Sequence, residues 1–159
     1  MKKLIILSFI SVLFLVSCAE SKAVVDAGKN VRGDWTITNV TVDGINPDHV
    51  NVMAFHQADY KCFIGSTWRL IQNNSSGYYT LNGGPSCPSE TTQIKWFLTE
   101  ENGAMMFKFK KIYEGEKPKN VVDGYNLRVV NNDGNHLVLR QDMMFEGKAI
   151  GINYSFSRN

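Results

Sequence analysis

From Gly33 to the end of the chain, apolar and polar positions alternate with a period of two, in short runs broken by Gly, Asn, Asp and Pro. Alternation of this kind puts every second side chain on one face of a strand and predicts half-buried sheet. The first strand, 33–42, opens with Gly33-Asp34-Trp35. The second, 66–72, carries Trp68 and Leu70 on one face, and Asn73-Asn74-Ser75-Ser76-Gly77 turns it into a third at 78–82. The fourth, 91–99, sets Ile94, Trp96 and Leu98 against Gln93 and Lys95. Met105, Phe107 and Phe109 alternate with Lys108 and Lys110 in a fifth, and Tyr125, Leu127 and Val129 with Asn126 and Arg128 in a sixth. Leu137 and Leu139 mark a seventh; Ile150, Ile152, Tyr154 and Phe156 mark the eighth. This count, with no long amphipathic helix, predicts an all-β fold: an eight-stranded antiparallel up-and-down barrel, with a β-sandwich as the alternative.

Alternate connections of an up-and-down barrel share an end. The turns at 73–77, 100–103 and 131–134 fall at one end and are short; the connections at 43–65, 83–90, 113–123 and 142–148 fall at the other and read as longer. The expectation is a cup with a closed floor and a looped mouth. The first connection holds Asn46-Pro47-Asp48 and the apolar run 50–55. It is a short helix or an extended lid, and periodicity does not choose between them. Gly83-Gly84-Pro85-Ser86-Cys87-Pro88 reads as a rigid, irregular loop. Both ends of the barrel domain meet at the floor, where Trp35 plugs the barrel. Arg158 follows the last strand there, and a guanidinium over the indole would lock closure by a cation–π contact.

The stretch ahead of the barrel has another character. Lys2 and Lys3 precede an apolar run, 4–16, that is too short and wrongly flanked to span a membrane. It ends in Leu15-Val16-Ser17-Cys18, small residues before a Cys as in a bacterial lipoprotein signal. The reading is a signal peptide at 1–17, a lipidated tether at 18–31, polar and patternless, and the barrel domain at 32–159. Cys18 would carry the acyl chains, and multiple chains anchor firmly. Ala19 and Glu20 follow it, with no Asp beside the Cys to retain the protein at an inner membrane. The expected location is the outer membrane of a Gram-negative envelope.

Charge narrows the partners. Lys2 and Lys3 leave with the leader, and 15 basic residues then face 15 acidic ones. A neutral domain without a basic stripe argues against nucleic acid. Lys108, Lys110, Lys111, Lys117 and Lys119 cluster, but Glu114 and Glu116 dilute them, and the cluster reads as a solvated face. Aromatic residues at 11% argue against disorder. Cys62 and Cys87 both fall at the mouth, and an even pair in an exported protein favours a disulfide. His49, His56 and His136 lack partners at metal-ligand spacing and read as exposed loop residues. No nucleophile elbow or paired carboxylate stands out. Neither a cofactor, a metal nor an enzymatic activity is expected. Arg32-Gly33-Asp34 spells an adhesion tripeptide, but it sits within the start of the first strand.

Taken together, Gly33-x-Trp35 opening the first strand, the long first loop and Arg158 after the last strand resemble the lipocalin-like family. Within it the likeness is to small bacterial lipoproteins. The segments 62–68, 73–79 and 124–127 extend the resemblance, which covers 31–158. The chain departs from the pattern at 131–135, where the Thr-Asp-Tyr type of motif is missing. The resemblance implies a barrel that holds a small apolar molecule.

The residues expected to line such a pocket are Trp68, Tyr79, Trp96, Phe107, Phe109, Tyr125 and Tyr154. An eight-stranded barrel is wide enough either for one small ligand or for its own side chains alone. The leading expectation is therefore a monomeric, lipid-anchored carrier of a small hydrophobic molecule. The runner-up is a solid barrel that docks on another envelope protein, as an inhibitor for instance. In that case Val52, Met53 and Phe55 would form an exposed apolar patch.

Overall fold

The computed structural model describes residues 21–159; the leader at 1–17 and Cys18 lie outside the described residues. The barrel predicted from the alternation is present. Its strands are β1 (Gly33–Asp43), β4 (Thr67–Ile71), β5 (Ser76–Gly84), β6 (Cys87–Glu101), β7 (Ala104–Ile112), β8 (Tyr125–Asn132), β9 (His136–Phe145) and β10 (Lys148–Arg158). Two further short strands, β2 (Met53–Ala54) and β3 (Ala58–Asp59), pair with each other in the first long connection. Each barrel strand is antiparallel to its neighbours, in the order β1-β10-β9-β8-β7-β6-β5-β4, and β4 returns to β1 to close the ring. Closure runs through Gly33 opposite Leu70 and Trp35 opposite Trp68. A register shift between Ile37 and Asn39 lets β1 serve both β4 and β10, since a bulge bends the strand that carries it.

The inward set is the one the alternation named. Trp68 and Leu70, Tyr79 and Leu81, Ile94, Trp96 and Leu98, Phe107 and Phe109, Tyr125 and Leu127, Leu137 and Leu139, and Ile150 to Phe156 at every second position are all buried.

The floor differs from expectation. Residues of the supposed tether form a helix, α1 (Lys22–Val31), with Ser21 as N-cap, its Oγ accepting from the Val24 N–H at 3.3 Å. Val24, Gly28 and Val31 are the buried stripe of α1, and a spacing of four and then three residues puts them on one helix face. A helix this short is held by packing more than by propensity. It lies across the floor against β6 and β8. At Gly28 the helix comes close to the barrel: a Cβ there would meet the Gln72 side-chain amide at 2.6 Å. The Trp35 indole N–H donates to the Val31 carbonyl at 2.8 Å and ties helix to barrel.

The mouth also differs. Two of the four connections read as longer are two-residue hairpin turns: 85–86 between β5 and β6, and 146–147 between β9 and β10. The β5–β6 ladder continues past Asn82 to a Gly84–Cys87 pair, so the stretch read as an irregular loop is the tip of a hairpin. Only 44–66 and 113–124 are long. The first carries 3-10 turns at Pro47–His49 and Tyr60–Phe63 with the β2–β3 ladder between them.

Candidate functional site: a plugged aromatic chamber

The β2–β3 hairpin is a lid, and its tip enters the barrel. The turn is closed by the Gln57 N–H donating to the Ala54 carbonyl at 3.1 Å. Both residues after Ala54 have positive φ, +50° at Phe55 and +49° at His56. Mirror-image hairpin turns need that sign and usually obtain it from Gly, Asn or Asp. In side chains this bulky it costs about 1–2 kcal/mol per residue. The geometry drives the Phe55 ring inward, to 2% exposure, while His56 stays outside.

Phe55 is surrounded by rings from four strands and from its own connection. Ring centroids lie at 5.0 Å for Phe109, 5.2 Å for Tyr125, 5.1 Å for Phe63 and 6.3 Å for Trp68, all edge-on. Tyr154 stacks on it at 5.0 Å. Such pairs favour these offset and edge-to-face arrangements. The Phe55 carbonyl is held as firmly as its ring: the Tyr125 hydroxyl donates to it at 2.7 Å and Lys111 Nζ at 2.8 Å.

Lys111 is therefore no part of a solvated face. It is 7% exposed and continues the inward series Met105, Phe107, Phe109 on β7. Among the described residues no carboxylate lies within ion-pair distance of its Nζ. The Tyr113 and Tyr125 rings flank it at 5.8 and 5.7 Å.

The lid is latched at one further point. Gln57 Nε2 donates to Thr92 Oγ1 at 3.0 Å and to Glu90, and the Tyr79 hydroxyl donates to Gln57 Oε1. Burial pushes the phenols of this chamber up: Tyr125 to about 12, with the nearby Tyr113 and Asp123 adding to it, and Tyr79 and Tyr154 likewise well above the ordinary phenol value. All three stay neutral and act as hydrogen-bond donors at physiological pH.

Of the seven residues expected to line a pocket, Trp68, Phe109, Tyr125 and Tyr154 contact the Phe55 ring directly. Tyr79 stands behind them, stacked on Trp68 at 4.4 Å. Trp96 and Phe107 stack on each other at 5.6 Å nearer the floor, and the Trp96 indole N–H is committed to the Ser76 carbonyl. These two are core rather than chamber wall. The anticipated apolar patch on the lid is reduced to Met53, at 47% exposure, because Val52 and Phe55 are turned inward.

Cys62 and Cys87 form a disulfide, Sγ–Sγ 2.05 Å, joining the 3-10 turn after the lid to the β5–β6 hairpin tip. At the opposite end the Arg158 guanidinium lies 4.3 Å from the Trp35 ring centroid, as the sequence suggested. Two clefts flank the lid at the mouth. One, of about 570 Å³, is bounded by His56, Gln57, Glu90 to Gln93 and Lys111 to Glu114. The other, of about 320 Å³, lies between His56, Lys111, Tyr113, Tyr125 and the 116–123 connection. They meet at His56, Lys111 and Tyr113, and Lys111, through its bond to the Phe55 carbonyl, links the mouth to the chamber.

No family model and no curated protein matches the chain. Among solved structures, apocrustacyanin C2 superposes with a TM-score of 0.46 at 11% identity, over 82% of this chain and 62% of its own. The odorant-binding protein from bovine nasal mucosa gives 0.44 at 13%, over 89% and 76%. Lobster apocrustacyanin A1 gives 0.41 at 12%, over 84% and 62%. The chain thus spans less than two thirds of the length of either crustacyanin. At such identities the likeness is one of chain path, and the fold itself is a closed eight-stranded antiparallel up-and-down barrel with one short helix.

Proposed function

We propose that this protein is a lipid-anchored, lipocalin-like component of a bacterial envelope that takes up a small apolar molecule in the chamber now filled by Phe55. One observation carries the reading: a bulky side chain is held inside the barrel by a strained turn on a hairpin only two residues deep per strand. A core built solely for stability has no need to fill its upper layer from a lid, or to bear the unfavourable backbone that this requires. The lid is the element whose withdrawal opens a ring-lined space at the mouth.

Lipid anchoring rests on the leader and on Cys18. The chain enters the barrel at the floor, through α1, so an anchor there places the lid on the side away from the membrane.

The packed rings favour a second reading, a solid barrel that works through its loops. Native mass spectrometry on protein taken gently from its own envelope separates the two. A discrete added mass released on denaturation is expected. A bare mass for both the wild type and Phe55→Gly would move the assignment to the solid barrel. Palmitate labelling that is lost in Cys18→Ala tests the anchor, and labelling that survives the substitution would remove it.

A further inference from the structure

Within the reading of an opening chamber, the plug describes its own replacement. We propose that the molecule bound is a small aryl-alkanoate: one benzene-sized ring joined by about two carbons to a carboxylate.

The ring requirement comes from the shape of the space Phe55 fills. One face is stacked by Tyr154, and the edges are bounded by Phe63, Phe109, Tyr125 and Trp68. Four edge-on neighbours and one stacked neighbour enclose a space that holds a single flat ring. The carboxylate requirement comes from the Phe55 carbonyl. It stands where two donors converge, Tyr125 Oη at 2.7 Å and Lys111 Nζ at 2.8 Å.

Lys111 is buried, and besides the Tyr113 and Tyr125 rings its Nζ meets one neutral oxygen. No carboxylate of the described residues lies within 4.0 Å of it. An ammonium taken out of water without an opposite charge is costly, and a carboxylate in that place converts the contact into a charge-assisted pair. The ligand would lay its oxygens where Phe55 now lays one, and its ring where the Phe55 ring lies. The clefts on either side of the lid both reach Lys111, which gives the charged end a route in from the mouth.

The test is a titration of the full chain, read by tryptophan fluorescence and by isothermal titration calorimetry. Three probes are compared: 3-phenylpropanoate, which reproduces the Phe55 ring, Cβ, Cα and carbonyl carbon; its neutral amide; and nonanoate. The expected order is 3-phenylpropanoate tightest. Lys111→Met should weaken the carboxylate about 10- to 100-fold and leave the amide within a few fold. Phe55→Gly removes the competing ring but leaves the main-chain carbonyl of that position on Lys111 and Tyr125, so it should tighten the ring-bearing probes, acid and amide alike.

Equal affinity for acid and amide in the wild type would overturn the carboxylate assignment, and nonanoate binding better than 3-phenylpropanoate would overturn the ring assignment. Either result is obtained without any variant and leaves the chamber standing. If a folded Phe55→Gly protein, with native circular dichroism, took up neither benzene nor any of the three probes, the chamber itself would fall.

Discussion

The Arg158 guanidinium covers the Trp35 indole at 4.3 Å and, from the same fork, donates to the carbonyls of Asn30, Arg32 and Gly134. One side chain thereby joins the C-terminal turn of α1, the start of β1 and the β8–β9 turn. It also explains the residue two before Trp35. A Cβ on Gly33 would stand 2.4 Å from Arg158 Nη1, and its φ of +126° is one that L residues rarely adopt. Arg158→Lys keeps a positive charge but cannot make the three-way fork. It should lower stability by about 2 kcal/mol in urea unfolding. Gly33→Ala should cost at least as much. Loss below about 0.5 kcal/mol in both would show that closure does not depend on this contact.

Phe55 offers a prediction whose sign is unusual. Truncation of a buried Phe typically costs about 3–5 kcal/mol, and Gly is ordinarily a worse replacement than Ala. At φ +50° the order should invert, because Ala keeps the left-handed strain and Gly sheds it. Phe55→Gly should be the more stable variant by about 1 kcal/mol in denaturant unfolding. Ala above Gly would mean that the turn relaxes once the ring is gone.

The Cys62–Cys87 bond closes a sequence separation of 25. In the chain-entropy model this stabilises by about 3–4 kcal/mol, so Cys62→Ser should lower the melting temperature by many degrees. Reductant should shift the wild type toward the variant and leave the variant unmoved. A Cys62→Ser protein that melts with the wild type in the absence of reductant would remove the bond from the stability account.

Alkaline pH should loosen the chamber. The Tyr79, Tyr125 and Tyr154 hydroxyls are raised above their ordinary value, first by burial, with Tyr125 at about 12. A folded-state value above the unfolded one gives a contribution that is whole below about pH 10, the unfolded phenol value. It is lost as pH rises from there through the folded values. Phenolate absorbance should therefore rise in two phases, the later one together with loss of the near-ultraviolet circular dichroism of the aromatic core. In Tyr125→Phe the decline in stability should be shallower. A single early phase for every tyrosine would contradict the burial of these three.

The barrel was legible because the sheet period is two and the inward residues are large. Trp68, Ile94, Trp96 and Phe107 could hardly lie on a solvent face. Helix α1 was missed because its buried stripe is only Val24, Gly28 and Val31, one of them without a side chain; Ser21 as a cap was the remaining signal. The 83–88 stretch misled because its Gly and Pro content suits a loop and a tight hairpin tip equally well. Periodicity leaves the first connection open between a short helix and a lid, and nothing local announces positive φ at Phe55 and His56, since tertiary packing imposes it. The burial of Lys111 is legible in the alternation. Lys111 shares parity with Met105, Phe107 and Phe109, and that parity outweighs its resemblance to the neighbouring exposed lysines.

Helix α1 also sets a distance. As an open tether, residues 18–31 could reach roughly 45 Å at about 3.5 Å per residue. With 22–31 wound and docked on the floor, only Ala19 to Ser21 separate Cys18 from the helix, a reach of roughly 10 Å. With Cys18 acylated as proposed, the barrel would stay within that reach of the headgroups, like a goblet on a short stem. Cargo would have to arrive from the aqueous side, since the lipid phase would meet only the sealed base.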